Sequence, residues 1–146
     1  MTNIIEFKNK LLDAKRDDID VLLVPQGKYR LAYVKHRITT QFDRGVLEIL
    51  FRVTDFGSFF GTILPKYFNV ELRGKKWFAA KPRSDFFRTY CTLFGQQPRF
   101  DSRVLRKFED VYVEGVVETV STDHRQQKLP EVARYSVVRR LTRICE

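Results

Sequence analysis

The chain of 146 residues has few cysteines and no long apolar run. No segment approaches the roughly 20 consecutive apolar residues that a membrane-spanning helix needs. Its first residues also lack the basic start and the small-residue cleavage site of a secretory signal. Two cysteines, Cys91 and Cys145, are too few for a disulfide framework or a zinc site. We therefore expect a cytoplasmic protein without a membrane partner.

The chain also lacks the motifs of common enzymes. No glycine-rich loop is followed by the Lys-Ser/Thr of a nucleotide-binding motif, and neither His36 nor His124 accompanies a recognisable nucleophile motif. A metal-dependent nuclease would need converging carboxylates. Glu114 and Glu118 share one face of a predicted strand, but acids in that position more often pair with arginines across strands. We predict no cofactor, no metal and no catalysis.

What the chain does have is positive charge and aromatic residues. Lys and Arg number 27 against 18 Asp and Glu, a net charge of +9, and 14% of the residues are aromatic. The hydrophobic content is too high for a disordered chain, and the length suits one domain. We predict a single domain over residues 1–146, with a helical arm at 1–20 and a β-rich body at 21–146. The positive charge favours a polyanion such as nucleic acid.

Three segments between Gly27 and Val70 alternate with the period of two that a strand requires. The first places Tyr29, Leu31 and Tyr33 on one face, and the third runs from Ser58 to Leu64. The apolar face of the second is made of Leu47, Ile49, Phe51 and Val53. The connections between them, residues 39–45 and 55–57, suit hairpins.

The rest of the chain adds helices and a second hairpin. Asn3 to Asp18 is predicted as an amphipathic helix, and Ser84 to Phe94 as a helix with Ser84 as N-cap and Gly95 as C-cap. A polar connection over residues 96–110 follows. Alternation then predicts strands at 111–120 and 134–143.

This order of elements resembles the oligonucleotide- and oligosaccharide-binding fold (OB-fold), a five-stranded Greek-key β-barrel with a helix between its third and fourth strands. The resemblance covers about Gly27 to Arg143. The resemblance implies a mainly β fold. Within that family, the chain is similar to single-stranded DNA-binding proteins. The segment Gly57 to Val70, GSFFGTILPKYFNV, also resembles small uncharacterised proteins of bacterial mobile elements.

The OB-fold resemblance implies a binding face on the second and third strands, gripped by the loops after the first and fourth. Basic residues around an aromatic one, as in residues 73–83, provide cations for phosphates and a flat face for bases. Phe60 and Trp77 have an alternative role in covering the core. The predicted nucleic-acid contacts are Arg37, Arg44, Arg52, Phe60, Lys66, Tyr67, Lys75, Lys76, Trp77, Arg125 and Lys128.

These observations predict a non-catalytic protein that binds single-stranded DNA with little sequence specificity. RNA is an alternative ligand. A second hypothesis is a protein-interaction module of a mobile-element or phage system, in which the last strand or the N-terminal helix pairs with a second copy or another protein. A metal-dependent nuclease is the third.

Overall fold

A computed structural model of the chain describes residues 23–74, 78–95, 102–122, 125–130 and 134–145. Within these ranges it contains six strands, one α-helix and one 3₁₀ helix. Their order is β1 (Gly27–Gln41), β2 (Arg44–Val53), β3 (Ile63–Leu72), β4 (Phe78–Ala79), α1 (Asp85–Phe94), the 3₁₀ helix (Ser102–Asp110), β5 (Tyr112–Val120) and β6 (Tyr135–Cys145). The predicted N-terminal helix, and with it the arm at 1–20, lies outside the described residues.

The strands pair antiparallel in the order β4-β3-β2-β1-β5-β6. The mainly β prediction is confirmed, but the sheet is open and the predicted closed barrel is not formed. β3 and β6 approach each other, yet no strand pairing joins them in the described part of the chain. Pro65 contributes to this open edge of β3, because proline has no N–H to donate to a further strand.

A two-residue turn, Phe42 and Asp43, joins β1 to β2. Both residues have positive φ angles, 51° and 61°, and Gln41 pairs with Arg44 directly before and after them. This is the geometry of a type I′ hairpin, whose twist matches that of the two strands. The connection is therefore shorter than the predicted one over residues 39–45.

The predicted apolar face of β2 points inward. Its four apolar residues are at most 1% exposed and belong to the hydrophobic core: Leu47, Ile49, Phe51 and Val53. β1 adds Leu31, and β5 adds Val113 and Val117, as their alternation predicts. The other side of β2 is the outer face of the sheet, where Val46, Glu48 and Leu50 are also buried and Arg52 is exposed.

The third strand begins later than predicted. Alternation favoured Ser58 to Leu64, but the strand is Ile63–Leu72, and the residues before it form a loop. Gly57 and Gly61 have φ angles of 141° and 84° there, which suit a turn and not a strand. The prediction was wrong because Lys66, a charged residue in the inward series of β3, hid the alternation that continues beyond it.

The predicted helix and its caps are confirmed in α1. The Phe87 N–H donates to Ser84 Oγ at 3.2 Å, and the Gly95 N–H donates to the Cys91 carbonyl at 2.9 Å. The helix packs against β3 and β6. Its buried side chains are Phe86, Tyr90 and Leu93.

The 3₁₀ helix occupies part of the segment that was predicted as a polar connection. It buries Phe108, whose ring meets the edges of Phe51 and Phe94 at centroid distances of 6.0 and 4.9 Å. The Tyr90 hydroxyl donates to the Val104 carbonyl at 2.9 Å and so ties this segment to α1. Within the described ranges, neither helix has the length and apolar character to cross a bilayer.

β6 departs from simple alternation because its register with β5 shifts twice. Each shift places an extra residue in β6, so that Val138, Leu141 and Ile144 all contact the core. Strict alternation over 134–143 would place Val137 with Leu141 and opposite Val138. The arginines of this strand stay outside: Arg139, Arg140 and Arg143 are exposed.

Candidate nucleic-acid interface

The outer face of β2, β1 and β5 carries one row of residues that the strand pairing brings together. Ala32 of β1 lies between Arg52 of β2 and Tyr112 of β5. Because alanine is small, it leaves a shallow place between an exposed arginine and a tyrosine ring that is 42% exposed. The Arg52 side chain and the Tyr112 ring therefore lie on either side of the shallow depression at Ala32.

Arg30 completes this arrangement. Its guanidinium carbon lies 4.2 Å from the centroid of the Tyr112 ring. A guanidinium over an exposed ring is stabilised by about 0.5–1 kcal/mol, and its N–H groups stay available for hydrogen bonds at the ring's edge. Arg30 makes no ion pair with another residue that the structure describes.

The next row across the sheet extends the positive charge to β6. Val116 of β5 pairs with Lys28 of β1 and with Arg140 of β6. Both basic side chains are exposed, and neither forms an ion pair within the described part of the chain. We name the Arg30 face by its five members: Lys28, Arg30, Arg52, Tyr112 and Arg140.

An acid of β5, Glu114, lies on the same face, directly opposite Arg30 of β1. Its carboxylate accepts a hydrogen bond from Thr142 Oγ1 at 2.8 Å and two from the Arg143 guanidinium at 3.1 and 3.2 Å. These hydrogen bonds, Thr142 first, hold the pKa of Glu114 below its usual value. The negative charge of Glu114 is thus compensated from the β6 side, and the Arg30 face keeps an excess of positive charge.

The loop between β2 and β3 is fastened to the edge of this face. The Arg30 N–H donates to Asp55 Oδ2 at 2.8 Å, and the Arg30 carbonyl accepts from the Thr54 N–H at 2.8 Å and from Thr54 Oγ1 at 3.0 Å. Phe56 follows directly and is 99% exposed, while Phe60 is 56% exposed. The two rings are stacked nearly parallel, at 7° and 6.1 Å between centroids. We call this pair the phenylalanine tip.

Arg37 and Tyr67, two predicted contacts, lie elsewhere on the outer face and converge on Glu48. Arg37 Nε is 3.1 Å from Glu48 Oε1, and the Tyr67 hydroxyl hydrogen-bonds the same carboxylate. Burial first, and then the charge of Glu48, raise the pKa of Tyr67. Glu48 is 2% exposed, so these two side chains satisfy a buried charge.

Lys66, also a predicted contact, is 5% exposed and points inward. Its ammonium lies 3.5 Å from Asp85 Oδ2, donates to the Tyr67 carbonyl at 3.3 Å and stands 4.1 Å from the centroid of the Phe68 ring. Burial lowers the pKa of Lys66, against the opposing effect of Asp85. The lysine ties α1 to β3, and we leave it out of the proposed interface.

The other predicted contacts are spread over the molecule. Arg44 lines a groove of about 480 Å³ with Glu71, Lys81 and other residues near the β1–β2 turn. Arg125 and Lys128 are exposed in the connection between β5 and β6. Lys75, Lys76 and Trp77 lie outside the described residues.

The structure also bears on the candidate acids. Glu114 pairs with Arg143, and Glu118 lies 3.6 Å from Arg139, so both face arginines across the strands. The residues that the structure describes contain no cluster of three or more acids, histidines or cysteines suited to a metal ion. A half-buried pair, Tyr33 and His36, has its hydroxyl and Nδ1 2.7 Å apart.

The sequence-based contacts include Arg52 and Phe60 of this candidate interface but not Arg30, Tyr112 or Phe56. Alternation in β1 and β5 does place Arg30 and Tyr112 opposite the core residues, which was the available signal. Their meeting depends on how two distant segments pair. Comparisons of the chain with protein-family models, with curated proteins and with solved structures found no match.

Proposed function

We propose that the protein binds single-stranded DNA without catalysis and with little sequence specificity, and that the Arg30 face is the centre of its binding surface. The observation that carries the proposal is the Arg30 guanidinium above the exposed Tyr112 ring, with Arg52 on the far side of Ala32. Proteins that bind single strands combine cations along the backbone with flat faces for bases. The Arg30 face offers both on one surface.

The fold lends support at the level of strand order. The long strands follow the order β3-β2-β1-β5-β6, α1 precedes the last two of them, and β6 approaches β3. A five-stranded OB-like barrel would have this order with its two edges joined. The preference for DNA over RNA, the bacterial mobile-element setting and the cytoplasmic location rest on the sequence alone.

Fluorescence anisotropy of labelled single-stranded DNA over a salt series tests the proposal, with duplex DNA and RNA of the same length as comparators. We expect the single strand to bind best and the affinity to fall with salt, because neutralised phosphates release counterions. Arg30→Gln should weaken binding and reduce the salt slope by about 0.7. Arg88→Gln, the same change on α1, is the matched control. If none of the three nucleic acids binds at low salt, the proposal fails.

A protein-interaction module is the second candidate, and the open edge of β6 favours it. In the described residues, β6 pairs along its length with β5 alone. An unpaired edge can accept a strand from a second copy or from another protein. Sedimentation velocity at several protein concentrations separates the candidates, because self-association through β6 would raise the mass without any nucleic acid. Adding Mg²⁺ to the DNA mixture tests the nuclease hypothesis, which predicts loss of the labelled strand.

A further inference from the structure

The phenylalanine tip is the least protected apolar feature among the described residues. Phe56 has nearly all of its surface in contact with solvent, and its ring lies parallel to that of Phe60. An exposed aromatic pair on a loop is costly in water, and clustered exposed apolar groups mark interaction sites more often than single ones do. The tip therefore needs an explanation outside the hydrophobic core.

The loop that carries the tip is held firmly. Phe59, between the two exposed rings, packs against the core. The Gly61 N–H donates to the Val53 carbonyl at 2.8 Å and the Thr62 N–H to the Phe59 carbonyl at 3.0 Å, in addition to the bonds of Thr54 to Arg30. The two rings are thus presented outward by a loop fixed at both of its ends. A ligand that stacks on them would order few further groups, which limits the entropic cost of binding.

The loop that carries the tip is bonded to the strand that carries Arg30. Asp55, one residue before Phe56, is bonded to the backbone of Arg30, whose guanidinium lies over Tyr112. Flat ring faces on a loop that is bonded to a cation-bearing strand match the chemistry of an unpaired nucleotide, with a planar base and a charged phosphate. An apolar surface that inserts into lipid needs no flat stack, so the parallel geometry favours a base.

We propose that the phenylalanine tip is a stacking platform for an unpaired base of the nucleic acid that passes over the Arg30 face. This inference rests on the proposed function and adds a source of its preference for single strands. The base extends the Phe60–Phe56 stack on the open side of Phe56. Duplex DNA keeps its bases stacked inside the helix and cannot make this contact.

The test compares wild type, Phe56→Ala and Phe42→Ala in anisotropy with two ligands, a labelled thymidine strand and an abasic sugar–phosphate strand of equal length. Phe42 is an exposed phenylalanine on the β1–β2 turn and is the matched control. We expect Phe56→Ala to lose about 5- to 150-fold in affinity for the thymidine strand, with the salt slope unchanged. Affinity for the abasic strand should be the same in all three proteins.

The outcomes separate the two proposals. If wild type binds the thymidine strand and Phe56→Ala binds it equally well, the platform is wrong and the proposed function stands. If wild type binds no strand, both fail. Loss of affinity by Phe42→Ala equal to that of Phe56→Ala, or tip-dependent binding to phosphatidylserine vesicles without any effect on DNA, would also overturn the platform. Thermal melts of the variants check that each is folded, which we expect for a side chain with 99% exposure.

Discussion

Arg37 Nε lies 3.1 Å from a carboxylate oxygen of Glu48, and this pair is formed by directly opposed residues of β1 and β2. Tyr67 stands opposite Glu48 on the other side, in β3. The Glu48 side chain is almost completely buried, although it belongs to the outer face of the sheet. A carboxylate removed from water needs such partners, because an unpaired buried charge is strongly destabilising.

We predict that Arg37 contributes to stability and little to nucleic-acid binding. Arg37→Ala should lower the free energy of unfolding by about 1–3 kcal/mol, because it removes a charged hydrogen-bond partner from a buried group. Urea denaturation measures this change. Arg88→Ala, on the exposed side of α1, should stay within about 0.5 kcal/mol of wild type. If Arg37→Ala keeps its stability but loses DNA affinity, Arg37 contacts the nucleic acid and the prediction is wrong.

The sequence predicts the fold best where one face is uniformly apolar. β2 and α1 were predicted with the apolar faces that the structure buries, because Leu47 to Val53 and Phe86 to Leu93 follow the strand and helix periods closely. β3 was displaced, since Lys66 lies on the inward side of that strand between Leu64 and Phe68. A lysine is so seldom buried that its position could not be read as part of the core.

The candidate site was only partly predictable for a different reason. That Arg30, Arg52 and Tyr112 point away from the core follows from local alternation. That they meet depends on the registers of β1 with β2 and with β5, and a shift of one residue would move each side chain to the other face. Of the phenylalanine tip, Phe60 was predicted as a contact but Phe56 was missed, because residues 55–57 were predicted only as a hairpin connection to a strand at Ser58 to Leu64.

Lys66 provides the second prediction. Burial lowers the pKa of Lys66 from 10.5 in the folded state, so the unfolded state binds more protons between the two values and stability rises with pH across that window. Below the lowered pKa, the lysine is charged in the folded protein, and the full desolvation cost of burying that charge reduces stability. Lys66→Met should therefore be about 1 kcal/mol more stable than wild type at pH 7. Asp85, the partner of Lys66, is exposed to water, so losing the lysine in this variant costs it little stabilisation.

Denaturation at pH 7 and near pH 10 checks the Lys66 prediction. The advantage of Lys66→Met should shrink as the pH rises towards 10.5, where the lysine of the unfolded chain also becomes neutral. Lys81→Met, at an exposed lysine, is the control and should show no such convergence. If Lys66→Met is less stable than wild type at both pH values, the link between Lys66 and Asp85 outweighs the cost of burial.

The β1–β2 turn gives a third prediction. Phe42 and Asp43 both have positive φ angles in a type I′ turn, a conformation that favours Asn and Gly. Asp43→Gly should raise stability by about 0.5–1 kcal/mol, because glycine adopts this conformation without steric cost. Thermal unfolding measures the gain. The same substitution at Asp55, whose carboxylate accepts the Arg30 N–H, should lower stability, which separates the effect of the turn from that of removing an acid.

The last prediction concerns His36. Its Nδ1 is 2.7 Å from the Tyr33 hydroxyl, and burial lowers the pKa of His36 in spite of the charge of Glu109. Burial also raises the pKa of Tyr33 to about 12, so the phenol stays protonated and can donate to the neutral imidazole. Proton NMR across pH 4 to 8 should find one imidazole titrating below 6.5, the ordinary value for histidine.

His124→Gln assigns the two histidine signals, since the chain has two histidines. Because folded His36 binds its proton less readily than the unfolded chain does, its contribution to stability is complete above about pH 6.5 and is lost as the pH falls towards the lowered pKa. Wild type should therefore lose more stability than His36→Gln between pH 7 and pH 5. Equal losses, or a His36 signal that titrates above 6.5, would mean that Glu109 outweighs burial at this site.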